Sequence, residues 1–340
     1  MKSNNSGSFA LLSIIVVAAV LVSFNTFLKP SPVNQTETPR WLVINPPSDV
    51  TTMVQMGDTV WIGGKSGVQG IKWEGKELVD FPCGVKLSYV RHMLLHGGDL
   101  YIGHDGGLTV FNGETCTTYS EEDGLVESRV NWIMETSDGR LWVGTWSGAY
   151  YSTGDGWASL TVDDGLIDND VHTMLEDRDG GLWFGSYQAP RGGISVKTGD
   201  TWQYFSTENG LPHNNVNNLY LDVDGTVWAA TGLLDRGGAV QFRKDSDGWR
   251  IDRVLDVDDG LPLGKIRSIY RDPDEMLWIG SESDGLAMMI NDEAKVLTAD
   301  DGLSNNEVKV MWNDASGNMW LGTRDGVTLL TTSDLDELTK

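Results

Sequence analysis

The sequence predicts an all-β chain, a seven-bladed β-propeller of four-stranded antiparallel blades, on three observations. A strand-like tetrapeptide that opens with Trp or Tyr recurs seven times, its copies lie 40 to 50 residues apart, and turn-forming Asp and Gly precede the copies. The copies are Trp61-Ile-Gly-Gly, Tyr101-Ile-Gly-His, Trp142-Val-Gly-Thr, Trp183-Phe-Gly-Ser, Trp228-Ala-Ala-Thr, Trp278-Ile-Gly-Ser and Trp320-Leu-Gly-Thr. A period of this size suits a blade of four short strands. The 41 glycines and 14 tryptophans fit many tight turns around an aromatic core.

Taken in order, the chain opens with a short segment, residues 1–8, expected to be cytoplasmic. Residues 9–28 form a run of 20 without a charge, preceded by Lys2. At about 1.5 Å per residue such a helix spans a hydrocarbon core of about 30 Å. No A-x-A site follows it, so the expectation is an uncleaved single-pass anchor with everything after it outside the cytoplasm; cleavage instead would release a secreted protein. Residues 29–40, polar and containing proline, read as a tether. The propeller is expected over 41–340.

Each repeat reads alike. An inner strand such as Val171-His-Thr-Met-Leu-Glu leads to a turn rich in Asp and Gly, residues that turn without steric cost or cap their own backbone. The Trp strand returns, a Gly turn leads to a third strand, and a fourth carries an aromatic residue, as in Trp202-Gln-Tyr-Phe. A crossover follows with Asp-Gly-Leu at 123, 164, 259 and 301, or Asn-Gly-Leu at 209. The seventh unit lacks a fourth strand, and residues 40–45 lack a blade. The expectation is that they join, which closes the ring and covers open edges.

The pattern D-G-L, then V, then D-x-D-G-x-L-W-x-G-T, then G-[LV] resembles the two-component regulator propeller family, from about residue 41 to 330. The first two units are looser, with Gly57-Asp58 and Gly98-Asp99 at the acidic turn. The resemblance implies an extracytoplasmic propeller of the kind that serves as sensor of hybrid histidine kinases, often in carbohydrate sensing. No kinase follows the last blade, so a recognition fold is implied and a kinase is not. The Asp-turn-Trp element also looks like the Asp-box of sialidases, and its repetition in blade after blade makes it scaffold.

Strand direction puts the crossovers and the loops between second and third strands on one face, called the top. Two features mark it. In units four and five the second-to-third loop grows by four residues, Ser186 to Gly193 and Thr231 to Gly238, and each insertion carries an Arg before two glycines, Arg191 and Arg236. Departures from a repeat are where binding is added. Second, the residue after the first Val or Ile of each inner strand forms a series around the channel: Thr51, Arg91, Asn131, His172, Asn217, Arg267 and Lys309. Its cationic members would suit a carboxylate, sulfate or phosphate, since Arg reads such groups with a planar fork. Trp146 and Tyr187, on neighbouring loops, offer faces to a sugar ring. The ligand-binding candidates are therefore Arg191, Arg236, Trp146, Tyr187, Arg91, His172, Arg267 and Lys309.

The formal net charge of −24 excludes nucleic acid as the main partner. The chain has no H-E-x-x-H, G-x-S-x-G or P-loop, and no catalytic residue, metal site or cofactor is assigned. A second reading is a propeller enzyme of streptogramin-lyase type, with His172 or His213 beside Glu127 or Asp170 at the mouth. A third is a pure interaction scaffold. The partners expected are a small ligand or glycan at the top face, a signalling or envelope protein in trans, and the membrane through 9–28. Cys83 and Cys116 show no metal spacing, and their pairing is left open.

Overall fold

Seven repeats of an inner strand that returns through a turn to a Trp or Tyr strand can close into a ring, each blade packed on the next. A computed structural model describes residues 41–45, 47–72, 77–85, 87–125, 129–262, 264–291 and 293–339. The anchor at 9–28 and tether at 29–40 lie outside these residues. Among the described residues no helix is long and apolar enough to cross a membrane.

Seven four-stranded antiparallel sheets follow one another along the chain. Blades one to six cover residues 52–80, 92–119, 130–160, 171–205, 216–255 and 266–297. Blade seven combines Val308–Asn313, Met319–Thr323 and Gly326–Leu330 with the N-terminal strand Leu42–Ile44.

The acidic turn is a hydrogen-bond clamp. One oxygen of Asp177 accepts from the backbone N–H groups of Asp179 and Gly181, both at 2.9 Å, and the other accepts from the Trp183 indole at 3.1 Å. The indole bond recurs from Trp228 to Asp222, Trp278 to Asp272 and Trp320 to Asp314. Each tryptophan thus has its polar edge satisfied inside its own blade, and its ring is free to pack on the next blade. Trp183 meets Phe242 and Trp249 of blade five edge-on. The glycine of the tetrapeptide permits that approach: a Cβ on Gly185 would stand 2.7 Å from Val216 of the following inner strand. The apolar core is therefore seven clusters between blades, with no single centre.

The crossover motif has an equally local cause. In Thr161-Val-Asp-Asp the Asp164 carboxylate accepts the Thr161 N–H at 2.9 Å, and Gly165 takes a left-handed φ of 119° that no other residue adopts cheaply. Leu166 then turns inward and is buried. Blade five departs from expectation: its insertion is no loop but an extension of the hairpin Val227–Leu233 and Arg236–Asp245, with Leu234 and Asp235 at an exposed tip. Gly232 faces Gly237 in the added ladder, so the strands continue past the length used by other blades.

Cys83 and Cys116 form a disulfide with Cα atoms 5.9 Å apart. The chain leaving the outer strand Glu77–Asp80 of blade one still lies at the periphery when it reaches Cys83, beside the outer strand Cys116–Tyr119 of blade two.

At the joint of blade seven, Leu42, Val43 and Ile44 pair antiparallel with Leu329, Thr328 and Val327. Three residues of ladder hold little alone. Trp41, 2 % exposed, packs in one cluster with Leu330 and Leu338 of the C-terminal helix Thr332–Leu338. Trp41→Ala should therefore lower unfolding stability by about 3–5 kcal/mol, while Leu42→Ala on the exposed face should cost no more than about 0.5 kcal/mol. Urea denaturation of the two variants checks this.

Candidate functional site

The ring at the channel mouth is built by a bulge repeated around the axis. In blades three to seven the inner strand slips register at its second residue, so that Asn131, His172, Asn217, Arg267 and Lys309 are each the extra residue opposite the Trp strand. In blades one and two Thr51 and Arg91 hydrogen-bond Gly63 and Gly103, the same glycines that pair with the residue after them. A bulge re-aims the side chain it carries. Here it turns seven of them toward the axis.

Below and around the ring lies a cavity of about 560 Å³, to which all seven blades contribute. Its upper wall includes Tyr89, Trp146, Asp170 and Tyr187; deeper, it is lined by aromatic rings including Trp132, Tyr270 and Trp312. Trp146 is half exposed, with the Arg129 guanidinium 3.9 Å from its ring centre. His92 lies stacked on Trp132 at 3.9 Å.

The neutral ring members brace the next blade. Thr51 donates to the carbonyl of Val90, Asn131 to that of Val171 and Asn217 to that of Ile266, at 2.6, 3.1 and 2.8 Å. These bonds fix each amide with nitrogen toward its neighbour, and the Oδ1 atoms of Asn131 and Asn217 are left buried without a partner, as is Oδ1 of Asp170. The charged members are matched instead. Arg91 bonds Asp105 at 2.8 Å, Arg267 stands 3.4 Å from Glu307, and Lys309 contacts Asp49 and, at 3.3 Å, Glu307. The acids come largely from a second tier, the residue two before each ring member: Asp49, Tyr89, Arg129, Asp170, Asn215, Lys265 and Glu307.

These surroundings set the protonation states. Burial, with Arg267, Arg91 and Lys265 nearby, pushes His172 down to about 3, so it is a neutral imidazole, tilted against Tyr187 at 5.0 Å. Burial alone takes His92 to about 3. Burial also works to raise Asp49, but its bond to Lys309 and the charges of Lys309 and Arg267 hold it below the usual range. Asp170 goes the other way, to about 6, through burial and then Asp168, against a weaker pull from Arg91.

Of the residues singled out in the sequence, Trp146, Tyr187, Arg91, His172, Arg267 and Lys309 meet at this cavity. Arg191 and Arg236 do not line it. The Arg191 side chain is 73 % exposed and paired with Asp168 at 3.6 Å, and Arg236 stands by the exposed tip of the blade-five hairpin. His213 accepts from the Asn215 N–H at 2.9 Å, and Glu127 lies outside the described residues. Sequence reading put Asp170 at the mouth but did not recognise the second tier as a set, and it missed the aromatic lining. The lining carries a signal, since Tyr220, Tyr270 and Trp312 occupy the fifth position of successive inner strands.

The two-component regulator propeller model matches residues 124–147, 165–188, 210–232 and 260–283. No curated protein matches the sequence. Among solved structures, the chain is similar to the extracellular domain of a two-component system protein, of hybrid type, from B. thetaiotaomicron: TM-score 0.70, 18 % identity, covering 85 % of this chain and 42 % of that one. It is similar to PorZ, a surface component of the type-IX secretion system of Porphyromonas gingivalis, at TM-score 0.62 and 16 % identity, over 88 % and 49 % of the two chains. It is also similar to virginiamycin B lyase of Staphylococcus aureus, at TM-score 0.66 and 14 % identity, over 86 % and 99 %. The chain spans less than half the length of the first two. At these identities the likeness is one of fold.

A buried carboxylate with a raised pKa makes a signed prediction. The folded-state value lies above the ordinary 3.8, so the Asp170 contribution is harmless below about pH 4 and turns into a cost as pH rises through about 6. Discounted for partial exposure, that cost is about 1–2 kcal/mol. Asp170→Asn should therefore be more stable than the parent by this amount at pH 7.5, and the two should converge near pH 4. Urea titrations at both pH values test it.

Proposed function

We propose, for a chain in which four stretches match the two-component regulator propeller model, that its propeller is a membrane-anchored, extracytoplasmic recognition module of sensor type whose ligand is a neutral carbohydrate held at the top of the channel. The observation that carries this is the cavity of about 560 Å³, which sets aromatic faces beside hydrogen-bonding groups from seven blades. Pockets of about 300–1,000 Å³ with a few placed polar groups are the usual form of a small-ligand site. A sugar offers both an apolar ring face and outward hydroxyls. The hydroxyls are donors, which the orphaned oxygens of Asn131, Asn217 and Asp170 lack.

Charge favours a sugar over an anion. Arg91, Arg267 and Lys309 already face acids, so little positive charge is left to attract a carboxylate or sulfate, and the acidic chain as a whole repels a polyanion. The charged ring then serves to hold directed donors in place. Outside the cytoplasm the Cys83–Cys116 bond is stable, since disulfides persist where the surroundings oxidise. Residues 9–28 supply the anchor, and a protein partner in trans receives the signal.

Two measurements test the reading. With full-length protein in detergent, neutral oligosaccharides should raise the unfolding temperature, and Trp146→Ala or Arg267→Ala should weaken binding by about tenfold or more. A response to acidic saccharides alone, or to none, overturns the neutral-sugar assignment. Protein taken from the cell envelope, denatured and treated with a thiol probe, should label at neither cysteine; labelling of both in freshly made protein would place the domain in the cytoplasm.

A further inference from the structure

We infer that the polar groove between blades six and seven is a second subsite, which binds the continuation of a hydroxyl-rich chain whose end occupies the channel mouth. The inference rests on the carbohydrate reading above. The groove has a volume of about 590 Å³. Its sides are the crossover from blade six to seven, with Ala299 and Ser304 to Glu307, and two second-to-third-strand loops, which bring Glu282 and Ser283 from blade six and Arg324 and Asp325 from blade seven. By strand direction all three segments lie on the top face, where the channel opens.

Glu307 joins the two spaces. It borders the groove, while its carboxylate lies 3.4 Å from Arg267 and 3.3 Å from Lys309, both of which line the channel. Buried Glu307 is thus a wall between the two spaces, and a chain that leaves the mouth on the blade-six-to-seven side meets the groove next. The walls are held in place before any ligand arrives. Asn305 donates to Asp325 at 2.8 Å and accepts the Glu307 N–H at 2.8 Å, and the Asn306 side chain accepts the Ala299 N–H at 2.7 Å. A preformed groove spends little binding energy on ordering itself.

Its chemistry selects the class of ligand. Amides, hydroxyls and carboxylates dominate the lining, and Ala299 is its one apolar side chain. Such a wall gives an apolar peptide side chain nothing to bury against. Glu282, Glu307 and Asp325 outnumber Arg324, so an acidic chain is repelled. A neutral polyhydroxylated chain satisfies both conditions. The occupant is then an oligosaccharide of two or more units, and length becomes part of what the module recognises.

The test is affinity against length on the full-length protein in detergent. Neutral malto-, xylo- and manno-oligosaccharide ladders, each from the monosaccharide to the hexasaccharide, serve as probes. Arg324 and Ser283 are exposed, so Arg324→Ala and Ser283→Trp alter the groove without touching the core; unchanged unfolding temperatures confirm that. The expected result is an affinity gain of about tenfold or more between the mono- and tetrasaccharide of a bound series, abolished by either groove variant. Trp146→Ala should weaken every length. Binding that is independent of length, or equal in the groove variants, overturns the second subsite and leaves the channel site standing. Failure of all three ladders to bind overturns the groove inference, and the broader oligosaccharide measurement then judges the channel site separately.

Discussion

Every blade of this protein buries its Trp strand against the next blade, so no blade is complete without a neighbour. That single constraint governs the rest. Seven interblade clusters require the last blade to meet the first, and the chain meets it by lending Leu42–Ile44 to the sheet that ends with Gly326–Leu330. A three-residue ladder is short for such a task, which is why Trp41 is buried against Leu330 and the C-terminal helix. Closure also sets the channel: with the number of blades fixed, the seven inner strands stand at a fixed distance from the axis, and the cavity between them is a consequence of the ring.

The site is made by a defect in the same strands. In blades three to seven one extra residue near the top of the inner strand interrupts the ladder and turns a side chain to the axis. The ring positions then divide the work. Thr51, Asn131 and Asn217 spend their donors on the next blade, which stiffens the ring. Arg91, Arg267 and Lys309 take partners that come mainly from crossovers and top loops, which ties those loops to the mouth. The ring therefore couples the top-face segments that carry Asp49, Asp105 and Glu307 to the register of the inner strands.

That shared register explains what could be read in the sequence. Asp177, Trp183 and Gly185 each have one structural duty, repeated in blade after blade, so the fold shows as a period in residue type. The ring was legible for a related reason: its position is periodic even though its residues differ. The second tier was legible only in part, through Asp170. Asp49, Tyr89, Arg129, Asp170, Asn215, Lys265 and Glu307 occupy equivalent places with unlike chemistry, and only the folded ring brings Asp49 to Lys309, 260 residues away. Arg191 and Arg236 stand apart from the ring. They stood out because their segments break the repeat, yet one insertion leaves its Arg in solvent beside Asp168 and the other simply lengthens a hairpin. The disulfide escaped prediction because it depends on the path of a crossover, which spacing along the chain does not encode.

The charge pattern finally reconciles a strongly acidic protein with a ring of cations. Three unpaired cations gathered at one mouth would repel one another in a medium of low dielectric. Glu307, placed between Arg267 and Lys309, removes that repulsion, and Asp49 completes the balance. A mouth compensated in this way presents directed donors and acceptors with little net field. On the proposed reading, such a mouth would select by the placement of hydrogen bonds and by fit to aromatic faces, with the acidic exterior opposing polyanions. The proposed neutral-sugar reading rests on that balance, and the balance arises from residues that also tie neighbouring blades and loops together.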